Sequence, residues 1–114
     1  MIYLGNSFSL SMLDNEDVHE GSYLHVQEVS PQVISTWLTR YEWISCIGHT
    51  DTAGLVSGIL GIEIPTNRVS VKLTHEDFLF VAQYVGPRLP EGSTTLPEGA
   101  SIKFIKVCFF EIGI

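Results

Sequence analysis

Residues 43–61 read WISCIGHTDTAGLVSGILG, and the pattern of this stretch decides the fold class. Trp43 to Ile47 is a short β-prone run that breaks at Gly48. From Thr50 or Asp51 onward Leu55, Val56, Ile59 and Leu60 recur at helical spacing, and Gly61 supplies the residue that most easily ends a helix. A strand feeding a helix through a tight turn is the repeating unit of α/β architecture.

The same grammar extends outward in both directions. Upstream, Ser30 can cap and Pro31 suits a first helical position, while Val33, Ile34, Trp37, Leu38 and Tyr41 form one apolar stripe. This helix should lie on a sheet. Tyr23 to Val29 is β-prone, Asp14 to Gly21 reads as a solvated acidic connection, and Ile2 to Leu4 is a short strand turning at Gly5-Asn6 into a short helix over Ser7 to Leu13. Downstream, Arg68 to Leu73 alternates, and Phe78 to Val85 is nearly all apolar, as a central strand would be. These two are expected to pair as a hairpin through Thr74-His75-Glu76-Asp77. Gly86 to Gly99 carries Pro87, Pro90 and Pro97 and reads as a long loop, before Ile102 to Ile112 resumes as a β-rich segment. The expectation is one α/β domain over residues 1–114, a small mixed β-sheet flanked by helices.

Composition bounds the partners. At 114 residues with 45% hydrophobic and 17% charged residues, the chain has the apolar surface that a disordered chain lacks. No run approaches a spanning helix and the N-terminal residues lack a signal-peptide pattern, so a soluble, cytoplasmic protein with no membrane partner is expected. Cys46 and Cys108 lack metal-ligand spacing and read as buried thiols, and no metal or cofactor is expected. The net charge is −7. Residues 1–64 hold eight acids against Arg40 alone, and the remainder holds five acids and five bases. Long nucleic acid is therefore an unsuitable partner, since its affinity comes from many cationic contacts to phosphate. A small anion gripped by a few groups is compatible with this balance.

The sharpest chemical feature is Gly48-His49-Thr50-Asp51-Thr52 at the strand-to-helix turn, where free backbone N–H groups and the helix dipole favour an anion. The plainer alternative is that Thr50 or Asp51 caps the helix and His49 fills a turn. Asn6 and Ser9 offer hydrogen bonds near the first strand, though such residues also serve as ordinary turn and cap residues. Arg88 and Glu91 lie three residues apart in the long loop, suited to phosphate chemistry or to a solvated ion pair of under about 1 kcal/mol. Arg68 begins its predicted strand as an edge charge or a phosphate contact. His19, His25 and His75 have no partner at ligand spacing and read as surface residues, and Trp37 and Trp43 as core.

Taken together, Tyr3-Leu4-Gly5-Asn6-Ser7-Phe8-Ser9 with Met12-Leu13, Ile47-Gly48-His49 with Thr52 and Leu55, Gly61, Asn67-Arg68-Val69, and Arg88-Leu89 with Glu91-Gly92 resemble the viral ring nucleases. These are type III anti-CRISPR proteins with relatives in prokaryotic defence loci. The resemblance runs in order over essentially the whole chain. It implies a two-fold homodimer enclosing one cyclic tetra-adenylate, the messenger of type III CRISPR signalling, and cleaving it without metal. It further implies that His49 is the catalytic histidine, Arg88 the phosphate-stabilising arginine and Glu91 the active-site glutamate, with Asn6 and Ser9 at ligand-contacting positions. The pattern departs in two places: Pro87 stands where the family has Gln before the arginine, and Gln83 is displaced by one from a second family Gln. The repeated Leu-Pro-Glu-Gly offers Glu98 as a rival to Glu91, and only the spacing from Arg88 favours the latter.

On that resemblance the expected substrate-binding set is Asn6, Ser9, Gly48, Thr50, Arg68 and Gln83, around catalytic His49, Arg88 and Glu91. RNA carries its own 2′-hydroxyl nucleophile, so an imidazole to protonate the leaving oxygen and a guanidinium to hold the developing charge suffice. Two other readings compete. One is a module of the same fold that sequesters cyclic oligoadenylate without cutting it, and the other is a small protein-interaction domain whose acidic N-terminal half is the partner surface.

Overall fold

Residues 1–111 are described in a computed structural model. Five strands form one mixed sheet: β1 (Ile2–Gly5), β2 (Ser22–Glu28), β3 (Trp43–Ser45), β4 (Phe78–Val85) and β5 (Ser101–Glu111). Two helices complete the fold, α1 (Pro31–Arg40) and α2 (Thr50–Leu60). The strand order is β2-β5-β4-β1-β3. β3, β1 and β4 run parallel, and β5 pairs antiparallel with both β4 and β2. The small α/β mixed sheet expected from the sequence is therefore present, and the last stretch of the predicted final strand, from Ile112, lies outside the described residues.

Local chemistry accounts for the helices. Ser30 is extended (φ −80°, ψ 154°), its hydroxyl accepts from the Val33 amide at 3.2 Å, and Pro31 opens α1 where a missing N–H costs nothing. α2 ends at Gly61, whose φ of +71° is the left-handed conformation that glycine adopts without strain. Both helices cover the same sheet face, rather than flanking both. Ile34 and Leu38 of α1 and Ala53, Val56 and Leu60 of α2 pack on Ile2, Leu4, Phe80, Ala82 and Phe104. Trp37 joins them edge-on to Phe78, ring centroids 5.4 Å apart. At the rim of the α1 stripe Val33 and Tyr41 remain exposed.

The opposite face is covered without a helix. Leu13, Val71 and Leu73 pack there on Leu79, Val81, Val107 and Phe109, with Phe8, Met12 and Val18 beside them. Two expectations are corrected here. The predicted helix over Ser7 to Leu13 shrinks to one 3-10 turn, Leu10–Met12, because Leu13 joins Leu73 in an isolated parallel bridge that draws the chain straight. The predicted hairpin of Arg68–Leu73 with Phe78–Val85 does not form, since β1 and β5 occupy both edges of β4. The alternation of Val71 and Leu73 instead serves the second core. The thiols of Cys46 and Cys108 are half-buried, not fully buried.

The Thr74–Asp77 turn supplies a pH-dependent element. Burial by itself would raise the Asp77 carboxyl, but hydrogen bonds from the Thr74 amide and hydroxyl, each 3.0 Å, and the terminal ammonium of Met1 at 3.0 Å hold it below the usual carboxylate value. A depressed folded value stabilises above the unfolded value, near 3.9, and that contribution fades as pH falls through the folded one. Wild type should therefore exceed Asp77→Asn in urea midpoint at neutral pH, and the gap should close below about pH 4.

A second position is governed by sterics. Gly86 leaves β4 with φ +148°, and a Cβ there would sit 2.8 Å from the Cα of Ala100, backbone that cannot swing aside. Gly86→Ala should cost on the order of 1–3 kcal/mol in urea unfolding, by combining left-handed backbone with a clash at the neck of the long loop. Gly92→Ala, at φ +78° but in open space, should lose less.

Candidate functional site

Because β3, β1 and β4 are parallel, the chain leaves all three at the same end of the sheet, the end where open α/β sheets gather ligands. Asn6 follows β1, the Gly48 turn follows β3, and the long loop follows β4. The site is built from these exits.

His49 occupies the N-cap position of α2 in an extended conformation (φ −125°, ψ 126°), and its side chain makes no capping hydrogen bond. The sequence left open whether Thr50 or Asp51 caps the helix; neither does, since they are its first two residues. The first-turn amides of α2 consequently receive no bond from the cap side chain, which leaves an electropositive helix end beside an exposed imidazole. Thr50 is steadied by the Thr66 hydroxyl at 3.5 Å.

Arg68 reaches the same place by a different route. The Asn67 amide donates to the Ile47 carbonyl, and its side-chain Nδ2 donates to the Ser45 carbonyl, both at 2.8 Å, so residues 67–68 are clamped against the exit of β3. Gly48 completes the fit: a Cβ there would lie 3.2 Å from Cβ and Cγ of Arg68. The bare glycine lets the Arg68 stem pass alongside His49. Arg68 is thus neither an edge charge nor the start of a strand.

Arg88 and Glu91 come from the loop after β4. The Tyr84 hydroxyl donates to the Pro87 carbonyl and fixes the chain just before Arg88. Pro90 to Ser93 then forms a turn closed by a 3.1 Å bond from the Ser93 amide to the Pro90 carbonyl. Asp51 Oδ2 accepts from the Gly92 amide at 2.8 Å, joining the loop to α2. Arg88 and Glu91 are both exposed, and among the described residues they do not form an ion pair with each other.

These segments enclose a cleft of about 730 Å³ lined by Asn6, Gly48, His49, Thr50, Asp51, Thr52, Arg68, Arg88, Leu89, Pro90 and Glu91. Of the residues singled out in the sequence, Asn6, Gly48, His49, Thr50, Arg68, Arg88 and Glu91 meet here. Glu98 is not in the lining, whereas Glu91 is. Ser9 and Gln83 are not in it either. Ser9 caps the 3-10 turn, its hydroxyl accepting from the Ser11 amide at 3.3 Å, and Gln83 is an exposed strand residue opposite Lys103. A second hollow of about 310 Å³ adjoins the cleft at Asn6, with Ser7, Ser11, Cys46 and Lys72 in its wall. Burial pushes the Cys46 thiol up, and its Sγ donates to the Leu4 carbonyl at 3.3 Å, so it is a packed neutral group.

The sequence reading missed Asp51 as a cleft residue, because a carboxylate in a first helical turn already has an ordinary explanation in the helix dipole. In charge the cleft sets two arginines against Asp51 and Glu91, on a chain whose net charge is −7. Such a surface attracts an anion by contact and not from a distance. Among the described residues no helix is long and apolar enough to cross a membrane.

Comparison with known proteins agrees with this architecture. The chain is 29% identical over 114 residues to "Uncharacterized protein 26" of Sulfolobus islandicus filamentous virus (isolate Iceland/Hveragerdi), covering 98% of this chain and 92% of that protein. Its fold is similar to that of B116 of Sulfolobus turreted icosahedral virus, with a TM-score of 0.75 and 25% identity over 94% of this chain and 97% of that one. The STIV B116-like family model matches residues 2–105, nearly the whole length, and the chain belongs to that family.

Proposed function

We propose that the protein is a ring nuclease that binds cyclic tetra-adenylate between two copies of the cleft and cleaves it without metal, in the cytoplasm of an infected prokaryotic cell. The observation that carries this reading is the convergence of His49, Arg68, Arg88 and Glu91, from three separate segments, on one cleft that also holds the open end of α2. A core has no use for three exposed charged groups and an imidazole drawn together. A phosphodiester does.

The chemistry follows from roles suited to each group. The substrate's 2′-hydroxyl attacks the neighbouring phosphorus in line, the bond from phosphorus to the 5′-oxygen breaks, and His49 gives the leaving oxygen its proton. Arg88 holds the charge that builds on the phosphorus oxygens through its fork of donors. Glu91, unpaired with Arg88 among the described residues, takes the proton of the 2′-hydroxyl. Asn6, Arg68 and the first-turn amides of α2 hold the phosphates that are not reacting. Two such cuts on opposite sides of the ring yield two linear di-adenylates, each ending in a 2′,3′-cyclic phosphate.

The two-fold dimer is part of the proposal. In one subunit His49, Arg68, Arg88 and Glu91 stand exposed, and a symmetric ring met by two apposed clefts removes them from water, where each charge-assisted bond gains strength. Calorimetric titration of His49→Ala with cyclic tetra-adenylate should saturate at one ring per two subunits. One ring per subunit would contradict the shared site. Absence of binding would favour instead a protein-interaction domain.

A further inference from the structure

We infer that Asp51 is a positioning residue, a latch that holds the loop bearing Arg88 and Glu91 over the His49 end of the cleft through its hydrogen bond to the Gly92 amide. The helix dipole favours a carboxylate in this first turn, yet a carboxylate two residues from His49, in a cleft shared with Arg68 and Arg88, also repels the anion those cations attract, a cost that a second role would offset. The bond supplies one. Asp51 Oδ2 lies 2.8 Å from the Gly92 nitrogen, across 41 residues of sequence.

The remaining loop contacts show why this one matters. Tyr84 to Pro87, Ser93 to Pro90, Ser93 to Thr95 and Ala100 to Pro97 are all made within β4 and the loop that follows it. Among the described residues, Asp51 alone makes a hydrogen bond to residues 88–98 from outside this segment. Gly92 is the third residue of the Pro90–Ser93 turn and has φ +78°, which glycine adopts without strain, and its amide is the one that donates to Asp51. Arg88 and Glu91 lie four and one residues before this anchor. Their placement relative to His49 is therefore set by a bond from the same helical turn that follows His49.

The structural half of the inference stands on geometry, and its consequence for catalysis rests on the ring-nuclease reading; the test separates the two. Amide exchange at Gly92 in the ligand-free protein, followed by NMR, should speed up about tenfold or more in Asp51→Ala, as expected when a hydrogen bond to a charged group is removed. In Asp51→Asn, which keeps an acceptor oxygen without the charge, it should stay within a few-fold of wild type. In cleavage of cyclic tetra-adenylate, Asp51→Ala should lower kcat about tenfold, whereas Asp51→Asn should restore kcat and lower KM, because the repulsion is gone while the latch remains. Unchanged Gly92 exchange in Asp51→Ala, or equal acceleration in both variants, would overturn the latch even if wild type cleaves the ring. Intact latch behaviour with no cleavage by wild type would uphold the latch and overturn the function.

Discussion

His49→Ala is expected to lower ring cleavage by about two to four orders of magnitude, the span associated with losing a positioned general acid, while leaving the fold in place. The second half of that expectation follows from the cap geometry. At most helix N-termini an alanine at the cap removes a side-chain acceptor and costs about 1 kcal/mol, but His49 makes no capping hydrogen bond and is exposed. Its removal should shift the unfolding free energy by no more than about 0.5 kcal/mol. Single-turnover cleavage beside a urea melt checks both parts. A variant that cuts as fast as wild type would remove the imidazole from the chemistry, and one that unfolds would mean that His49 serves the turn.

Arg88→Ala carries the next largest effect, a loss of about 10²–10³ in kcat, as for deleting one donor aimed at a developing oxyanion. Arg88 is exposed and, among the described residues, is not ion-paired with Glu91, so its truncation should be close to neutral in stability. The informative companion is Arg88→Lys. A lysine restores the charge but not the planar fork, so it should recover ligand binding far better than kcat. Equal recovery of both would reduce Arg88 to a point charge that merely attracts the ring, and would weaken its assignment to the reacting phosphate.

How much of this was legible beforehand depends on whether the cause is local. Ser30-Pro31 and Gly61 act on their own helix ends, so both helices could be read from the sequence. The nearly all-apolar run Phe78 to Val85 is what burial between two neighbouring strands demands, and β4 is indeed central. The strand pairing is another matter. Val69, Val71 and Leu73 alternate as a strand would, yet Val71 and Leu73 are buried under the second core while Val69 is exposed, and the edge they were expected to pair with belongs to β1. Which segment wins a strand edge is settled by competition across the chain, and no window of sequence contains it. Likewise Phe8, Met12 and Leu13 have helical spacing, but Leu13 is held by a bridge to Leu73, sixty residues away.

The site divides along the same line. Gly48-His49-Thr50 announces itself because a turn feeding a helix has its own electrostatics. Arg68, Arg88 and Glu91 carry no such signal; their meeting depends on Asn67 gripping the β3 exit, on the neck at Gly86 and Ala100 and on the bond from the Gly92 amide to Asp51. Resemblance selected them, and all three line one cleft. It does not extend to Ser9 and Gln83, which lie on neighbouring segments without lining the cleft. Asp51 was hidden for the opposite reason, since its residue type fits a first helical turn whether or not it reaches Gly92.

The most direct measurement is incubation of the purified protein with cyclic tetra-adenylate in EDTA, with products identified by chromatography and mass. Conversion to linear di-adenylate ending in 2′,3′-cyclic phosphate, lost in His49→Ala, is the expected result. Tight binding with the ring left intact would contradict catalysis and make the protein a sequestering module.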